Sequence, residues 1–183
     1  DSLYGGADGD TILGGAGNDL VQGDAGNDSL SGNDGNDTVD GGLGTDTLFG
    51  GAGGDSVLGG AGNDSITAGA DNDIIYGGDG DDSIGGWSID DSGDDTVYGD
   101  AGNDSIIAGY GNDIVYGGAD DDLLSGQNGN DTLYGGAGSD SFAITDDHEG
   151  DTIYGGETTA DNDVVVFSNH LSTAGVSVTF LGA

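Results

Sequence analysis

The 183-residue sequence contains no lysine, no arginine, no cysteine, no proline and no methionine. Without a basic side chain nothing neutralises phosphates, so nucleic acids, nucleotides and anionic membrane surfaces are poor partners. Without cysteine there is neither a disulfide framework nor a thiolate metal site. No apolar run approaches the roughly 18 residues of a membrane-crossing helix, and no charged-then-apolar leader opens the chain, so no membrane insertion is expected. The chain starts in mid-repeat at Asp1-Ser2-Leu3-Tyr4 and is expected to be part of something longer.

What remains is acid and glycine. There are 36 acidic residues, 43 glycines and a formal net charge of −36. Self-repulsion and glycine's backbone entropy both oppose a compact state, so such a composition would ordinarily mean disorder. Cations are its natural partners. Only its periodicity argues for a fold.

The period is nine residues. Counting a unit from Gly5, position 6 is Asp10, and aspartate recurs at Asp1, Asp10, Asp19, Asp28, Asp37, Asp46, Asp55, Asp64, Asp73 and Asp82. Four extra residues around Trp87 interrupt the series. It resumes at Asp95, Asp104, Asp113, Asp122, Asp131 and Asp140, then at Asp151 and Asp163 after shorter insertions. Two residues beyond each aspartate the side chain is apolar, from Leu3, Ile12 and Val21 through to Phe142, Ile153 and Val165. Each unit thus has six loop-like residues rich in Gly, Asn and Asp, then three of β character; the glycine density excludes a helix.

A three-residue strand must pair with stacked copies of itself. Two units, 18 residues, make one turn, with position 8 of each pointing inward from two short-stranded parallel sheets. Stacking at about 4.8 Å also sets aspartates of successive turns side by side, each pair repelling by about 1 kcal/mol even in water. The chain without cations is expected to be unfolded.

The unit G-G-x-G-x-D-x-U-x, repeated over residues 1–166, resembles the calcium-binding repeat of the RTX (repeats-in-toxin) family. The resemblance implies an all-β, right-handed parallel β-roll, a β-solenoid carrying calcium in its loops. It implies that each ion lies between one loop and the loop two units on, held by carbonyls of positions 2 and 4 and the aspartate of the first, and by carbonyls of positions 1 and 3 and the aspartate of the second. Carried onto this sequence, one site would use Gly15, Gly17 and Asp19 with Gly32, Asp34 and Asp37. Another would use Gly51, Gly53 and Asp55 with Ala68, Ala70 and Asp73. Further carbonyls would come from Gly60, Gly62, Gly109 and Gly111, and the carboxylates from the aspartate series Asp10 to Asp140 above. About 11 to 16 calcium ions are implied, and magnesium, which dehydrates reluctantly, is disfavoured.

Several features stand outside the repeat. Asp8, Asp71 and Asp120 replace glycine at position 4, and Ala68 and Ala108 replace it at position 1, so weaker sites are expected there. The stack is expected to bulge near 86–91, 144–150 and 157–160. Position 9 holds Tyr4, Phe49, Tyr76, Tyr98, Tyr116, Tyr134 and Tyr154; the last five fall one turn apart and should form a ladder, either a structural stack or a contact strip for a saccharide or neighbouring domain. Trp87 reads as a plug over its inserted loop, and His148 and His170 as solvated loop histidines. With Ser and Asp so abundant, an imagined Ser-His-Asp set carries no weight, and no enzymatic activity is expected of these residues. From Val164 the pattern changes, and 167–183 is expected to be a C-terminal cap over the last rung. The resemblance further implies a calcium-folded structural module of a bacterial secreted or cell-surface protein, exported by type I secretion machinery. Recognition, as an adhesin or carbohydrate-binding module, or attachment to a secreted enzyme, stands as the alternative.

Overall fold

The computed structural model describes residues 1–85, 92–144, 150–156, 162–167 and 177–179. Among these every regular element is a strand. One sheet, here sheet A, contains β1 (Ser2–Ala7), β3 (Leu20–Ala25), β5 (Thr38–Leu43), β7 (Ser56–Ala61), β9 (Ile74–Asp79), β11 (Thr96–Ala101), β13 (Ile114–Ala119), β15 (Thr132–Ala137), β17 (Thr152–Gly156) and β19 (Ser177–Thr179), stacked in that order. Sheet B stacks β2 (Thr11–Ala16), β4 (Ser29–Asp34), β6 (Thr47–Ala52), β8 (Ser65–Ala70), β10 (Ser83–Ile84), β12 (Ser105–Tyr110), β14 (Leu123–Asn128), β16 (Ser141–Ile144) and β18 (Val164–Phe167). The chain alternates between the sheets, so each turn contributes one strand to each. All pairings are parallel, and in the regular part each residue pairs with the one 18 positions on, as Leu3 does with Val21 and Leu48 with Ile66. The molecule is a parallel β-solenoid.

Position 8 makes the core. Val21, Leu30, Val39, Leu48, Val57, Ile66, Ile75, Ile84, Val97, Ile106, Val115, Leu124, Leu133, Phe142 and Ile153 are all buried between the sheets, and the outermost Leu3, Ile12 and Val165 are partly so. One aliphatic per half-turn is a thin core. Its regularity lets every inward side chain meet identical neighbours above and below.

The strands are longer than their residues suggest. Most span six residues rather than three, continuing through the Gly-Gly-x that opens the next unit. Positions 2 and 3 pair again after a corner at position 1, as Gly42 with Gly60 and Leu43 with Ala61. Glycine has poor strand propensity, but here a copy at the same height in the next turn offers it both donors and acceptors. Stacking overrides propensity.

The expected bulges at 86–91 and 157–160, all but the end residues Ile144 and Gly150 of the one at 144–150, and Trp87, His148 and His170 lie outside the described residues. On either side of them the ladder continues without a break. Asp73 N–H donates to Asp95 Oδ1 across 22 residues, Asp131 N–H to Asp151 Oδ1 across 20, and Asp140 N–H to Asp163 Oδ1 across 23.

Candidate metal centre

The aspartates of position 6 line two columns, one at each edge of the roll where the chain passes between sheets. They are not surface groups. Asp28, Asp37, Asp46, Asp55, Asp64, Asp73, Asp82, Asp95, Asp104, Asp113, Asp122, Asp131 and Asp140 each have 3% or less of their surface exposed. What fixes them is a hydrogen bond from the turn before: Asp19 N–H donates to Asp37 Oδ1 at 2.7 Å, Asp37 N–H to Asp55 Oδ1 at 2.8 Å, and Asp64 N–H to Asp82 Oδ1 at 2.8 Å. One carboxylate oxygen is thereby satisfied by the backbone.

The other oxygen is not. Oδ2 of Asp10, Asp19, Asp28, Asp37, Asp46, Asp55, Asp64, Asp82, Asp104 and Asp122 is buried with no hydrogen-bond partner. Buried polar atoms are nearly always paired, and a buried charge without compensation is costly. With no lysine or arginine in the sequence, compensation comes from outside, as a metal cation or a proton.

Backbone oxygen gathers at the same place. A Cβ built on Gly14 would lie 2.7 Å from the carbonyl oxygen of Gly32 and 3.0 Å from Asp19 Oδ2; on Gly77 it would lie 2.6 Å from Gly99 O and 2.5 Å from Asp82 Oδ2. Position 1 must therefore be small so that a carbonyl of one turn and a carboxylate of the previous turn can share a slot. Carbonyls of positions 1 and 3 face back down the stack, where Asp34 O accepts from Gly17 N–H at 2.7 Å. Those of positions 2 and 4 face onward, Gly42 O against Gly60 and Gly44 O against Gly62. The onward-facing glycines hold positive φ, 110° at Gly15, 109° at Gly17, 129° at Gly51, 113° at Gly53, 107° at Gly60, 131° at Gly62, 117° at Gly109 and 146° at Gly111, a region that most side chains avoid. Asp8, Asp71 and Asp120 adopt it too, with φ of 76° to 79°.

Of the first sequence-derived set, the structure links Gly17, Asp19, Gly32, Asp34 and Asp37, while Gly15 pairs with Asn33 in sheet B. Asp19 Oδ2 and Gly32 O share the slot over Gly14, Asp34 O meets Gly17, and Asp37 Oδ1 meets the Asp19 amide. The second set behaves alike, with Ala68 O and Asp55 Oδ2 over Gly50, Ala70 O accepting from Gly53 N–H, and Asp73 Oδ1 accepting from Asp55 N–H. Near the central insertion the pattern loosens. The side chains of Ala68 and Ala108 are buried where other turns have glycine, and together with Ile84, Gly85 and Asp95 they line a small void.

Among the described residues no three or more His, Cys, Asp or Glu side chains cluster as a metal site of their own. Any cation here must draw largely on backbone oxygen. All-oxygen donors from flexible loops suit calcium, with its six to eight ligands; zinc would want nitrogen or sulfur, and magnesium a tighter octahedron with retained water.

The electrostatics agree. Burial pushes the carboxyls of Asp82 and Asp122 up to about 7 and those of Asp55, Asp95 and Asp104 up to about 6, partly offset by the amide hydrogen bond and reinforced in all five by neighbouring carboxylates. These groups resist holding charge unaided.

A second ladder was not anticipated from the residues. At position 5, on the exposed rim, Asn18 Oδ1 accepts from Asn36 N–H, Asn63 Oδ1 from Asp81 N–H, Asn72 Oδ1 from Asp94 N–H and Asn112 Oδ1 from Asn130 N–H. Its hydrogen bonds run opposite to those of position 6. The enrichment of Asn and Asp just before the repeating aspartate was the available signal.

No curated protein matches the chain. The model of the RTX calcium-binding nonapeptide repeat (4 copies) matches residues 1–21, 13–48, 49–84, 89–124 and 107–142. A nine-residue period, an aspartate column with its free oxygen buried against backbone carbonyls, and a match over most of the length lead to one conclusion: the chain belongs to the RTX family of calcium-binding repeats and is a calcium-binding structural module.

Proposed function

We propose that this module folds when calcium binds after export from a bacterial cell, as part of a larger secreted or cell-surface protein. The position-6 aspartates from Asp10 to Asp140 hold the ions; in Asp28, Asp37, Asp46, Asp55, Asp64, Asp82, Asp104 and Asp122 the amide-bonded Oδ1 faces the turn before and Oδ2 is buried for the cation. Carbonyls of the flanking glycines, among them Gly15, Gly17, Gly32, Gly51, Gly53, Gly60, Gly62, Gly109 and Gly111, complete the oxygen set. About 11 to 16 ions fill the two columns, at affinities of the order of 10⁻⁴ to 10⁻³ M as in other extracellular modules. Where free calcium is scarce, repulsion keeps the chain extended and able to pass a narrow type I secretion channel. Outside, each ion that binds only the folded form adds to its stability, so folding is steep in calcium. Of the expected cap 167–183 only Phe167 and β19 lie within the described residues, and β19 adds to β17 in sheet A.

The observation carrying this reading is the buried, unpartnered Oδ2 repeated along both columns. Circular dichroism during a calcium titration tests it. The expected outcome is a coil signal in excess EGTA that converts sharply to β on adding calcium and much less on adding magnesium. A chain already β-rich in EGTA would overturn it.

A further inference from the structure

The two columns are not equally charged along their length. Loops 77–82, 99–104 and 117–122 stack directly on one another where the chain passes from sheet A to sheet B. The first carries Asp79, Asp81 and Asp82, the second Asp100 and Asp104, the third Asp120, Asp121 and Asp122. Eight carboxylates in three loops compare with two each in loops 5–10 and 23–28 and one each in loops 41–46, 59–64 and 135–140 of the same column; of the other column, loops 32–37 and 68–73 carry two each, loops 14–19, 50–55, 108–113 and 126–131 one each, and the sequence stretch 90–95, between β10 and β11, four. Stacking holds the surplus charges close to the buried ones: Asn103, next to Asp104, donates its backbone N–H to Asp81 Oδ1, and Asp121, next to Asp122, donates its own to Asn103 Oδ1. Within this cluster Oδ2 of Asp82, Asp104 and Asp122 is unpartnered, on side chains at most 3% exposed.

We propose that this acidic column, built by β9 to β13, takes up calcium before the rest of the roll and is where folding begins. The inference rests on the calcium-coupled folding above and adds an order to it. Affinity in oxygen sites rises with the number of ligand-side charges. A carboxylate about 10 Å from a divalent ion raises its local binding roughly 1.5-fold at physiological salt, so five surplus carboxylates give a gain on the order of tenfold there. A second feature acts on the same strands. The tyrosine stack starts at Tyr76 and Tyr98, on β9 and β11, with ring centroids 4.9 Å apart, and continues to Tyr116 on β13 at 4.9 Å. The first rungs closed there gain ring packing that β1 to β7 do not offer. The first rung of a solenoid has the highest ordering cost, so it forms where cation binding and packing coincide.

Hydrogen exchange read by mass spectrometry across a calcium titration tests the order. Amides of β9 to β13 are expected to become protected at a calcium concentration severalfold below that protecting β1 to β5. The variant D79N/D81N/D100N/D120N/D121N, whose asparagines keep the left-handed and hydrogen-bonding capacity of these positions, should remove that lead, raising the midpoint of β9 to β13 by about tenfold at physiological salt. The control D8N/D24N/D34N/D40N/D71N changes net charge equally and should leave the order intact. Protection of β1 to β5 first or simultaneously in the unsubstituted chain, or equal shifts in the two variants, would overturn the proposed order. Calcium-induced protection in any order leaves the coupled-folding reading standing. Its absence everywhere sinks that reading instead.

Discussion

At the scale of the residue, the molecule depends on one carboxylate used twice. Oδ1 of Asp82 answers the amide of Asp64 in the turn before, while Oδ2 is buried beside the carbonyl of Gly99 in the turn after. Burial raises the Asp82 and Asp122 carboxyls to about 7 and those of Asp55, Asp95 and Asp104 to about 6. The sign follows from linkage. A folded-state value above the ordinary 3.8 means that the metal-free roll binds more protons than the unfolded chain, so its stability is fully present below about 4 and is lost as pH rises through 6 to 7. Calcium needs the same oxygens deprotonated. The calcium midpoint of the β transition should therefore rise severalfold between pH 8 and pH 5.5, while residual β signal in EGTA increases over the same interval; circular dichroism at fixed ionic strength checks both. The aspartate column itself was legible in the sequence because nothing but a ligand or a charge ladder requires Asp at every ninth residue. The position-5 ladder was not, because Asn, Asp, Thr, Gly and Ser all occur there and only the stacked backbone shows what their oxygens accept.

At the scale of the element, the strand is defined by its neighbours. Three residues of β character per unit were visible in the alternation about position 8. The continuation through Gly41-Gly42-Leu43 was not, since glycine announces a turn and the pairing partner lies 18 residues away. Position 9 of sheet A shows the same dependence on stacking. Tyr76, Tyr98, Tyr116, Tyr134 and Tyr154 lie nearly parallel, with centroids 4.7 to 4.9 Å apart and interplanar angles of 3° to 7°. Each inner ring has both faces covered by its neighbours. A sugar packs on an open aromatic face, and the inner rings Tyr98, Tyr116 and Tyr134 have none, so the arrangement favours a structural stack over a saccharide platform. Tyr116→Ser removes two ring contacts of roughly 0.5–1.5 kcal/mol each. It should cost about 1–3 kcal/mol in saturating calcium, read as a lower Tm, with the number of bound ions unchanged.

At the scale of the whole molecule, a formal charge of −36 is confined to a narrow roll whose two edges are aspartate columns. The metal-free chain should have the dimensions of an expanded coil, with a radius of gyration of about 45 Å or more for this length. Small-angle scattering is expected to show contraction to less than about half that value when calcium is added, reversed by EGTA. An unchanged radius would mean that the charges tolerate one another without cations. The overall architecture was legible because every unit repeats the same instruction. The behaviour at the insertions was not, yet the amide-to-carboxylate bond spans 22 residues at Asp73 and Asp95 as readily as 18 elsewhere.

The ladder keeps its step across 20 to 23 residues as it does across 18. Since one circuit of the chain adds a single strand spacing of about 4.8 Å to the axis, the count of circuits, not of residues, acts as a ruler. Removing or duplicating a whole circuit would change reach in fixed steps, so such a module can be graded in length by copying alone.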